Sequence, residues 1–424
     1  MRIGLIAAMS LTTIWLVASA AAVTSAASPR ELGISGSTNA NPSIAASGRL
    51  AAVAWGATAK DGPTDVYIAV SHDAGQTFAP AVRVSDAGSR ATLSGEQPPR
   101  IALVSRRDLA PALVVVWTSK DGDGTRLMSA RSNDQGRTFS RPVPVPGTDA
   151  AGNRGWESIA ADRDGRVVAV WLDHRDAMTG AHMSHQAGAH VEAPADGVAR
   201  AQLSKLFFGR LGDAAAVRPI AAGVCYCCKT ALTTGPDGAI YAAWRHVYPG
   251  NLRDIAFAMS RDGGRTFTDP VRVSEDKWEL DGCPENGPAI AVDPSSRVHI
   301  VWPTLTTENG QETLALFYAT SRDGRTFSKR VRIPTAGAAF HPQLVLTRKG
   351  TLLVAWDEAT QGGRKVRFAR GTPDDGADIV FTPIAATETV RGSYPAIAAT
   401  TDGAVAAWMN TGAADSRITV AAVH

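Results

Sequence analysis

One motif, Ser-x-Asp-x-Gly-x-Thr-Phe, recurs along this chain and constrains its fold more than any other feature. It occurs at 71–78, 132–139 and 260–267, and a copy one residue shorter occurs at 321–327. Each copy lies between two short apolar runs. This arrangement is typical of a hairpin in which the glycine takes a positive φ and the aspartate side chain bonds turn amides. The recurrence predicts an array of similar β units.

A second pattern is more regular and sets the number of units. Seven times, a short apolar strand is followed by a polar turn and a strand that ends in tryptophan. The seven tryptophans are Trp55, Trp117, Trp171, Trp244, Trp302, Trp356 and Trp408. Spacings of 52 to 73 residues with several strands each indicate propeller blades. We therefore predict an all-β propeller, seven-bladed with four-stranded antiparallel blades. A six-bladed ring with one irregular pair is the alternative.

The two ends of the chain suggest how the ring closes. The last unit ends after its third strand, at Ile418 to Val423. The segment from Leu32 to Ser35 precedes the first unit and could supply the missing fourth strand. Such closure would remove the free sheet edges.

The first residues are typical of an export signal. Arg2 precedes an apolar run from Ile3 to Val23, and small residues follow it. We predict a signal peptide at residues 1–27, cleaved near 22–27, with an uncleaved anchor as the alternative. The chain should be exported, periplasmic or secreted, with no stable membrane span after cleavage. Residues 28–424 should form a single propeller domain with a His/Met-containing insert at about 173–205.

The composition of the chain limits the classes of partner that it is expected to bind. The chain is 44% hydrophobic and 20% charged, as expected for a globular protein. Its formal net charge is +3 and it has no basic run, so no surface for nucleic acid is expected. The partners left open are a small-molecule glycan, a metal ion or a protein.

All four cysteines lie at the start of innermost strands, where a propeller opens onto its central channel. Cys225, Cys227 and Cys228 stand in V-C-Y-C-C-K, and Cys283 stands in D-G-C-P-E-N-G-P before the next unit. Two disulfides are one interpretation, because an exported protein permits them. A bridge to Cys283 with another that involves Cys225 is easier to build than a vicinal bond. A thiolate site for copper or zinc is the other main interpretation, and reactive thiols are a third.

The insert after Trp171 adds further soft ligands. It reads D-H-R-D-A-M-T-G-A-H-M-S-H-Q-A-G-A-H and includes His182, Met183 and His185. A cluster of this kind is similar to copper-handling segments, and we take these three residues as weaker candidates for metal ligands. A polar loop with solvated histidines is the alternative.

The repeated turns and the blade pattern resemble the sialidase superfamily, also called BNR or Asp-box propellers. This resemblance covers nearly all of the chain after the signal segment. It implies an exo-glycosidase that holds a substrate carboxylate with arginines and uses a tyrosine nucleophile assisted by a glutamate. The residues that match loosely are Arg100, Glu157, Arg245, Arg391 and Tyr394.

Two functions follow as hypotheses. In the first, the chain is a non-catalytic binding protein that uses its cysteine-bearing channel mouth, where copper or zinc could bind. In the second, it is a sialidase-type exo-glycosidase that acts on terminal sialosides. The fold does not decide between them.

Overall fold

The computed structural model describes residues 29–122, 124–176, 197–308, 310–373, 379–384, 390–410 and 416–423. Within these ranges the chain forms 28 β-strands and one short helix. The strands make seven separate four-stranded antiparallel sheets. The predicted seven-bladed propeller is therefore confirmed, and the six-bladed alternative is wrong.

Strand β1 (Arg30–Leu32) precedes the first complete blade. The strands of the first three blades are, in chain order, β2 (Ser37–Ser47), β3 (Leu50–Ala59), β4 (Thr64–Ser71) and β5 (Val82–Arg83); β6 (Arg100–Arg106), β7 (Leu109–Asp121), β8 (Gly124–Ser132) and β9 (Val143–Pro144); and β10 (Arg154–Ala161), β11 (Val167–Asp173), β12 (Lys205–Arg210) and β13 (Asp213–Ala222). Helix α1 (Gly197–Gln202) lies in the connection between β11 and β12.

The remaining blades continue in the same order. Their strands are β14 (Ala231–Thr234), β15 (Ile240–Arg245), β16 (Ile255–Ser260) and β17 (Val271–Arg272); β18 (Ala289–Val292), β19 (Val298–Glu308), β20 (Gln311–Ser321) and β21 (Val331–Ile333); β22 (Ala338–Leu346), β23 (Leu352–Thr360), β24 (Gly363–Pro373) and β25 (Ile379–Pro383); and β26 (Ser393–Ala399), β27 (Ala404–Met409) and β28 (Ile418–Val423).

The ring closes by pairing strands from the two ends of the described chain. β1 pairs antiparallel with β28, with Arg30 opposite Val420 and Leu32 opposite Ile418, so the seventh blade takes its fourth strand from the start of the chain. Closure by a strand from before the first blade is confirmed, but that strand is Arg30–Leu32 and shares only Leu32 with the predicted segment Leu32 to Ser35. The seventh blade thereby has four strands, as the other six have.

Tryptophan side chains form the cores between neighbouring blades. The seven tryptophans of the second strands are all buried, none with more than 3% of its surface exposed. Each second strand continues past its tryptophan by one to six residues, so the predicted strand ends were too early. Trp302 of the fifth blade, for example, packs in one cluster with Tyr241 and Phe257 of the fourth. Burial of these large rings between sheets fixes the blades against one another.

Each repeated turn joins the third and fourth strands of its blade. In the second blade, Ser132 Oγ donates to Asp134 Oδ1 at 2.8 Å and accepts from the Gly136 amide at 2.8 Å. Asp134 also accepts from the amide and hydroxyl of Thr138. Gly136 has a φ of 86°, which favours glycine, and a Cβ there would lie 2.6 Å from Val70 of the preceding blade. The turn therefore packs directly against the neighbouring sheet.

Four innermost strands carry the same irregularity near their first residues. A register shift in β2, β10, β22 and β26 places one residue in the left-handed region. These residues are Asn41, Trp156, His341 and Tyr394, with φ between 51° and 57°. A bulge of this kind re-aims a side chain, and strained non-glycine residues cluster at functional sites.

Among the described residues, none of the helical structure is long and apolar enough to cross a membrane.

Candidate functional site

The loops that enter the fourth and fifth blades bring the four cysteines together. Cys225, Cys227 and Cys228 lie between β13 and β14, and Cys283 lies between β17 and β18. Cys227 and Cys283 form a disulfide with a Cα–Cα distance of 6.2 Å, while Cys225 and Cys228 are free thiols. The Cys227–Cys283 pairing agrees with the expected bridge to Cys283, whereas the second expected bridge, which would involve Cys225, is not formed.

Three of the sulfur atoms form a tight, buried cluster. Cys225 Sγ lies 3.6 Å from Cys228 Sγ and 3.9 Å from Cys227 Sγ, and all three sulfur atoms lie within 4.8 Å of one another. The three residues are no more than 2% exposed, whereas Cys283 is exposed. The site therefore has a buried interior of three cysteines and one cysteine at the surface.

Polar groups around the cluster shift the pKa values of the two free thiols in opposite directions. A hydrogen bond from Cys228 lowers the pKa of Cys225, and so does the positive charge of Arg253; burial acts in the opposite direction. Arg253 Nη1 donates to Cys225 Sγ at 3.3 Å. Burial and the hydrogen bond to Cys225 raise the pKa of Cys228. The Asn286 amide also donates to Cys228 Sγ at 3.4 Å. A thiolate at Cys225 is thus the favoured ionised form.

Two arginines beside the cysteines are buried, and their hydrogen bonds go to neutral oxygen or to sulfur, while the Arg245 guanidinium also lies 4.8 Å from the Trp278 ring centroid. Arg245 donates to the carbonyl oxygens of Asn286, Arg253 and Pro303. Arg253 donates to the Leu280 carbonyl, the Asn251 side chain and Cys225 Sγ. Each is 1% exposed. Neither forms an ion pair with a carboxylate within the described part of the chain, so positive charge accumulates next to the thiols.

Glu96 ties the two cysteine-bearing loops together from the opposite side. Its Oε2 accepts from the Lys229 amide at 2.9 Å and from the Gly287 amide at 2.8 Å. The Lys229 ammonium donates to the Pro342 carbonyl, and burial lowers the Lys229 pKa to about 8. These contacts hold the cysteine loops at fixed positions relative to each other.

The donor set fits a thiophilic metal ion. Metal–thiolate bonds of about 2.3 Å place neighbouring sulfur atoms about 3.8–4.0 Å apart. The separations of 3.6 and 3.9 Å are close to these values, and the third pair, Cys227 and Cys228, lies within 4.8 Å. Cys227 must first be released from its disulfide, because a bridged sulfur is not a thiolate ligand.

The last part of the His/Met insert, which includes helix α1, packs against the cysteine cluster. Ala201 of α1 packs in one buried cluster with Cys225, Cys227, Cys228 and Val247. On the other flank of the insert, His174 lies edge-on to Trp156, which packs against the same cluster. His182, Met183 and His185 lie outside the described residues, so their role as metal ligands stays a prediction.

A cavity of about 220 Å³ occupies the central channel. Residues from six of the seven innermost strands, or just before them, line it, as predicted for a propeller. Arg100, His341 and Tyr394 are its ionisable lining residues.

Tyr394 is held in a fixed position at the wall of this cavity. Its ring centroid lies 4.1 Å from that of His341, and a Cβ on Gly95 would lie 1.8 Å from the Tyr394 ring. His341 Nδ1 is 2.6 Å from Asp357 Oδ1, and Arg364 also binds Asp357. A Tyr–His–Asp chain therefore stands at the channel, and burial raises the pKa of Tyr394.

Glu157 lies behind the cavity, beside Arg100. Arg100 Nε donates to the Glu157 carbonyl oxygen at 2.8 Å, and Thr118 Oγ1 donates to Glu157 Oε2 at 3.1 Å. Burial raises the pKa of Glu157 to about 7 and lowers that of Arg100. Within the described chain, Glu157 Oε1 and Arg100 Nη2 are buried without a hydrogen-bond partner.

The five residues taken from the sialidase resemblance do not all lie at the central cavity. Arg100 and Tyr394 line the cavity and Glu157 is next to Arg100. Arg245 is instead bound by carbonyl groups beside the cysteines, and Arg391 is exposed. The described structure thus brings three of the five together, and the catalytic roles of all five stay predictions.

Sequence reasoning missed Glu96, Arg253 and Asp357. Asp357 follows Trp356 directly, as Arg245 follows Trp244, so polar residues after the tryptophans were a usable signal. Nothing in the sequence around Glu96 or Arg253 indicates a contact with the cysteine loops, since their partners are distant along the chain.

Comparisons with known proteins support the fold. No family model matches the chain, and no curated protein matches it. A PL25 ulvan lyase has 11% identity and a TM-score of 0.53, over 93% of this chain and 96% of that one. The polysaccharide lyase Uly1 has 9% identity and a TM-score of 0.51, over 93% and 92%.

A Trypanosoma rangeli sialidase mutant matches at 9% identity and a TM-score of 0.41, over 90% of this chain and 54% of the sialidase. At these identities the shared property is the fold. Together with the seven blades, the two lyase matches confirm the expected β-propeller fold.

Proposed function

We propose that this chain is an exported propeller protein that binds a thiophilic metal ion, copper or zinc, through the cysteines at the mouth of its central channel. The observation that supports this function is the cluster of three buried sulfur atoms. Clustered thiolates are the ligands that select copper(I) and zinc in proteins.

The surroundings of the cluster favour an ion over two disulfides. Arg245 and Arg253 place two buried positive charges beside the sulfur atoms. Neutral disulfides would leave that charge without compensation, whereas a thiolate–metal complex is anionic. Export is supported by the predicted signal peptide and by the Cys227–Cys283 bridge, which is typical of oxidising compartments.

Metal analysis tests the binding function. After reduction and anaerobic desalting, protein incubated with Cu(I) or Zn(II) should retain one ion per chain in elemental analysis. The double variant Cys225→Ser/Cys228→Ser should retain none, because two of the three sulfur ligands are gone. Met128→Leu removes a sulfur atom from β8 and serves as the control. Fully reduced wild-type protein that retains neither metal would contradict the proposal.

Export has a separate test. Expression of the full chain in a bacterial host should give a periplasmic or secreted product whose mass lacks about the first 22–27 residues, because signal peptidase removes the signal segment. A cytoplasmic product of full mass would contradict export.

A glycosidase function remains the second candidate, favoured by the position of Arg100 and Tyr394 on one cavity wall. It predicts release of a fluorophore from a sialoside by the wild-type protein and loss of that activity in Tyr394→Phe. Absence of turnover in fresh wild-type protein would remove this candidate.

A further inference from the structure

We propose that the ion is monovalent copper, bound by Cys225, Cys227 and Cys228 in three-coordinate geometry, and that Cys283 is not a ligand but the disulfide partner that closes the site. This inference rests on the proposed metal-binding function. It specifies which ion binds and proposes that the disulfide to Cys283 controls binding.

The number of ligands favours copper(I) over zinc. Structural zinc sites are almost always four-coordinate. Among the described residues, the group of potential ligand atoms that lie within 4.8 Å of one another has three members, all of them cysteine sulfurs. Soft, purely thiolate surroundings are the ligand type that selects copper(I).

The balance of charge around the sulfur atoms also favours copper(I). Three thiolates and Cu(I) sum to a formal charge of −2, and the guanidinium groups of Arg245 and Arg253 supply +2. With Zn(II) the complex would carry −1 and one buried guanidinium would lack a counter-charge. Within the described chain neither arginine has a carboxylate partner, since their bonds go to carbonyl, amide and sulfur groups. Uncompensated buried charge is unfavourable, so the arginine pair selects the more anionic complex.

The nearby carboxylates have cations of their own. Glu96 Oε2 accepts two amide hydrogen bonds and the positive charge of Lys229 opposes that of the carboxylate, while Glu96 Oε1 is buried without a hydrogen-bond partner in the described chain. Asp254 lies 3.6 Å from Arg272 and accepts from the Lys277 amide. The balance of charge at the sulfur atoms therefore depends on the two arginines.

Because Cys283 is exposed, reductants in solution can reach its disulfide with Cys227, and the state of this disulfide controls whether the ion binds. A small-molecule thiolate can attack Cys283 Sγ from solvent, and Cys227 leaves as a thiolate into the buried cluster. A second small-molecule thiol then frees Cys283 and forms the small-molecule disulfide, so two thiols supply the two electrons. Cu(I) binds the three sulfur atoms, and the protons still on them pass to solvent. While the bridge is closed, Cys227 cannot coordinate.

The Cys283→Ser variant tests both parts of the inference. It leaves Cys227 without a bridging partner, so the anaerobically purified full-length chain should bind one Cu(I) without added reductant, while oxidised wild type should not. X-ray absorption should show three sulfur neighbours at about 2.3 Å. If Cys283 were a fourth ligand, its loss should instead weaken Cu(I) binding relative to that of reduced wild type.

The arginine pair has its own test. Competition with a chromophoric chelator should show that Arg253→Gln weakens Cu(I) binding about 10-fold or more relative to Zn(II) binding, and that Arg253→Lys restores it. Exposed Arg261→Gln is the control. The ratio of the two affinities is the readout because partial unfolding would weaken both. Four-sulfur coordination in reduced wild type, or tighter zinc than copper binding in Cys283→Ser, would overturn this inference while leaving the proposed function standing. Failure of reduced wild type to bind either ion would overturn the proposed function as well.

Discussion

Glu157 is a carboxyl group without solvent exposure, and one of its oxygens has no hydrogen-bond partner among the described residues. Burial raises its pKa from 4.5 to about 7, although Arg100 and the Thr118 hydroxyl oppose the shift. The folded protein therefore holds a proton that the unfolded chain has already released between these pH values. Above pH 7 the folded state contains an ionised carboxylate in a place that disfavours the charge.

The sign of this effect gives a pH prediction. Because the folded-state pKa is raised, stability should fall as pH rises from about 4.5 to about 7 and then level off. Glu157→Gln should remove this loss, so its stability relative to wild type should increase by about 2 kcal/mol between pH 5 and pH 8. Urea unfolding at both pH values measures the difference. The exposed Glu312→Gln variant is the control, and an equal pH slope in wild type and Glu157→Gln would contradict the prediction.

The cysteines show the same dependence on surroundings. Cys225 and Cys228 are three residues apart and chemically identical in the sequence, yet their pKa values move in opposite directions. Arg253 is hydrogen-bonded to Cys225 alone of the two, and each thiol is buried. The reactive character of each sulfur is therefore a property of its neighbours in space.

At the scale of single elements, the repeated turn both ends a hairpin and joins two blades. The glycines at 75, 136, 264 and 324 have φ values between 69° and 90°. A Cβ at each of them would meet a side chain of the preceding blade, among them Val405, Val70, Phe208 and Met259. Two requirements, the backbone angle and the close contact, therefore act on the same glycine.

The serine of this turn is a suitable place to measure its contribution. Ser132→Ala removes the acceptor of the buried Gly136 amide and the donor to Asp134, so it should destabilise the protein by about 1–3 kcal/mol. Thermal or urea unfolding measures the loss. The exposed Ser47→Ala variant should be nearly neutral. A Ser132→Ala variant as stable as wild type would show that the turn is not held by this hydroxyl.

At the scale of the molecule, the seam between the first and last blades determines whether the ring is closed. Asn39 is 1% exposed and lies at this seam. Its Oδ1 accepts from the Ile34 amide and the Trp55 indole, and its Nδ2 donates to the carbonyls of Ile34 and Ser416. One side chain therefore links the segment before the first blade, the core of that blade and the residue Ser416 just before the last strand.

Asn39→Ala should weaken the seam. It leaves the indole N–H of Trp55 and the amide of Ile34 unpaired, so we expect a loss of about 2–4 kcal/mol and earlier proteolysis near the start of the chain. Calorimetry and limited proteolysis measure the two effects. Asn133→Ala on an exposed turn is the control. Unchanged melting and digestion would contradict the role of Asn39 in closure.

The sequence by itself determined the repeating architecture. The recurrence of Ser-x-Asp-x-Gly-x-Thr-Phe and of strands that end in tryptophan is local, and local chemistry is sufficient to specify turns, strands and their number. Alignment of the repeats also placed Arg100 and Tyr394 at the starts of innermost strands and the cysteines near such starts, although the structure puts the cysteines in the loops just before them. These predictions needed no knowledge of which residues touch.

Only the tertiary structure decided which of these residues meet. Arg253 reaches Cys225 across 28 residues, and Glu96 reaches Lys229 across 133. Arg245 stands after a tryptophan in the expected way, but the fold directs it to carbonyl groups beside the cysteines. Burial, charge balance and ligand distance arise from blades that are far apart in the chain, so no local pattern contains them. The physical reason is that desolvation and Coulomb interactions depend on separation in space.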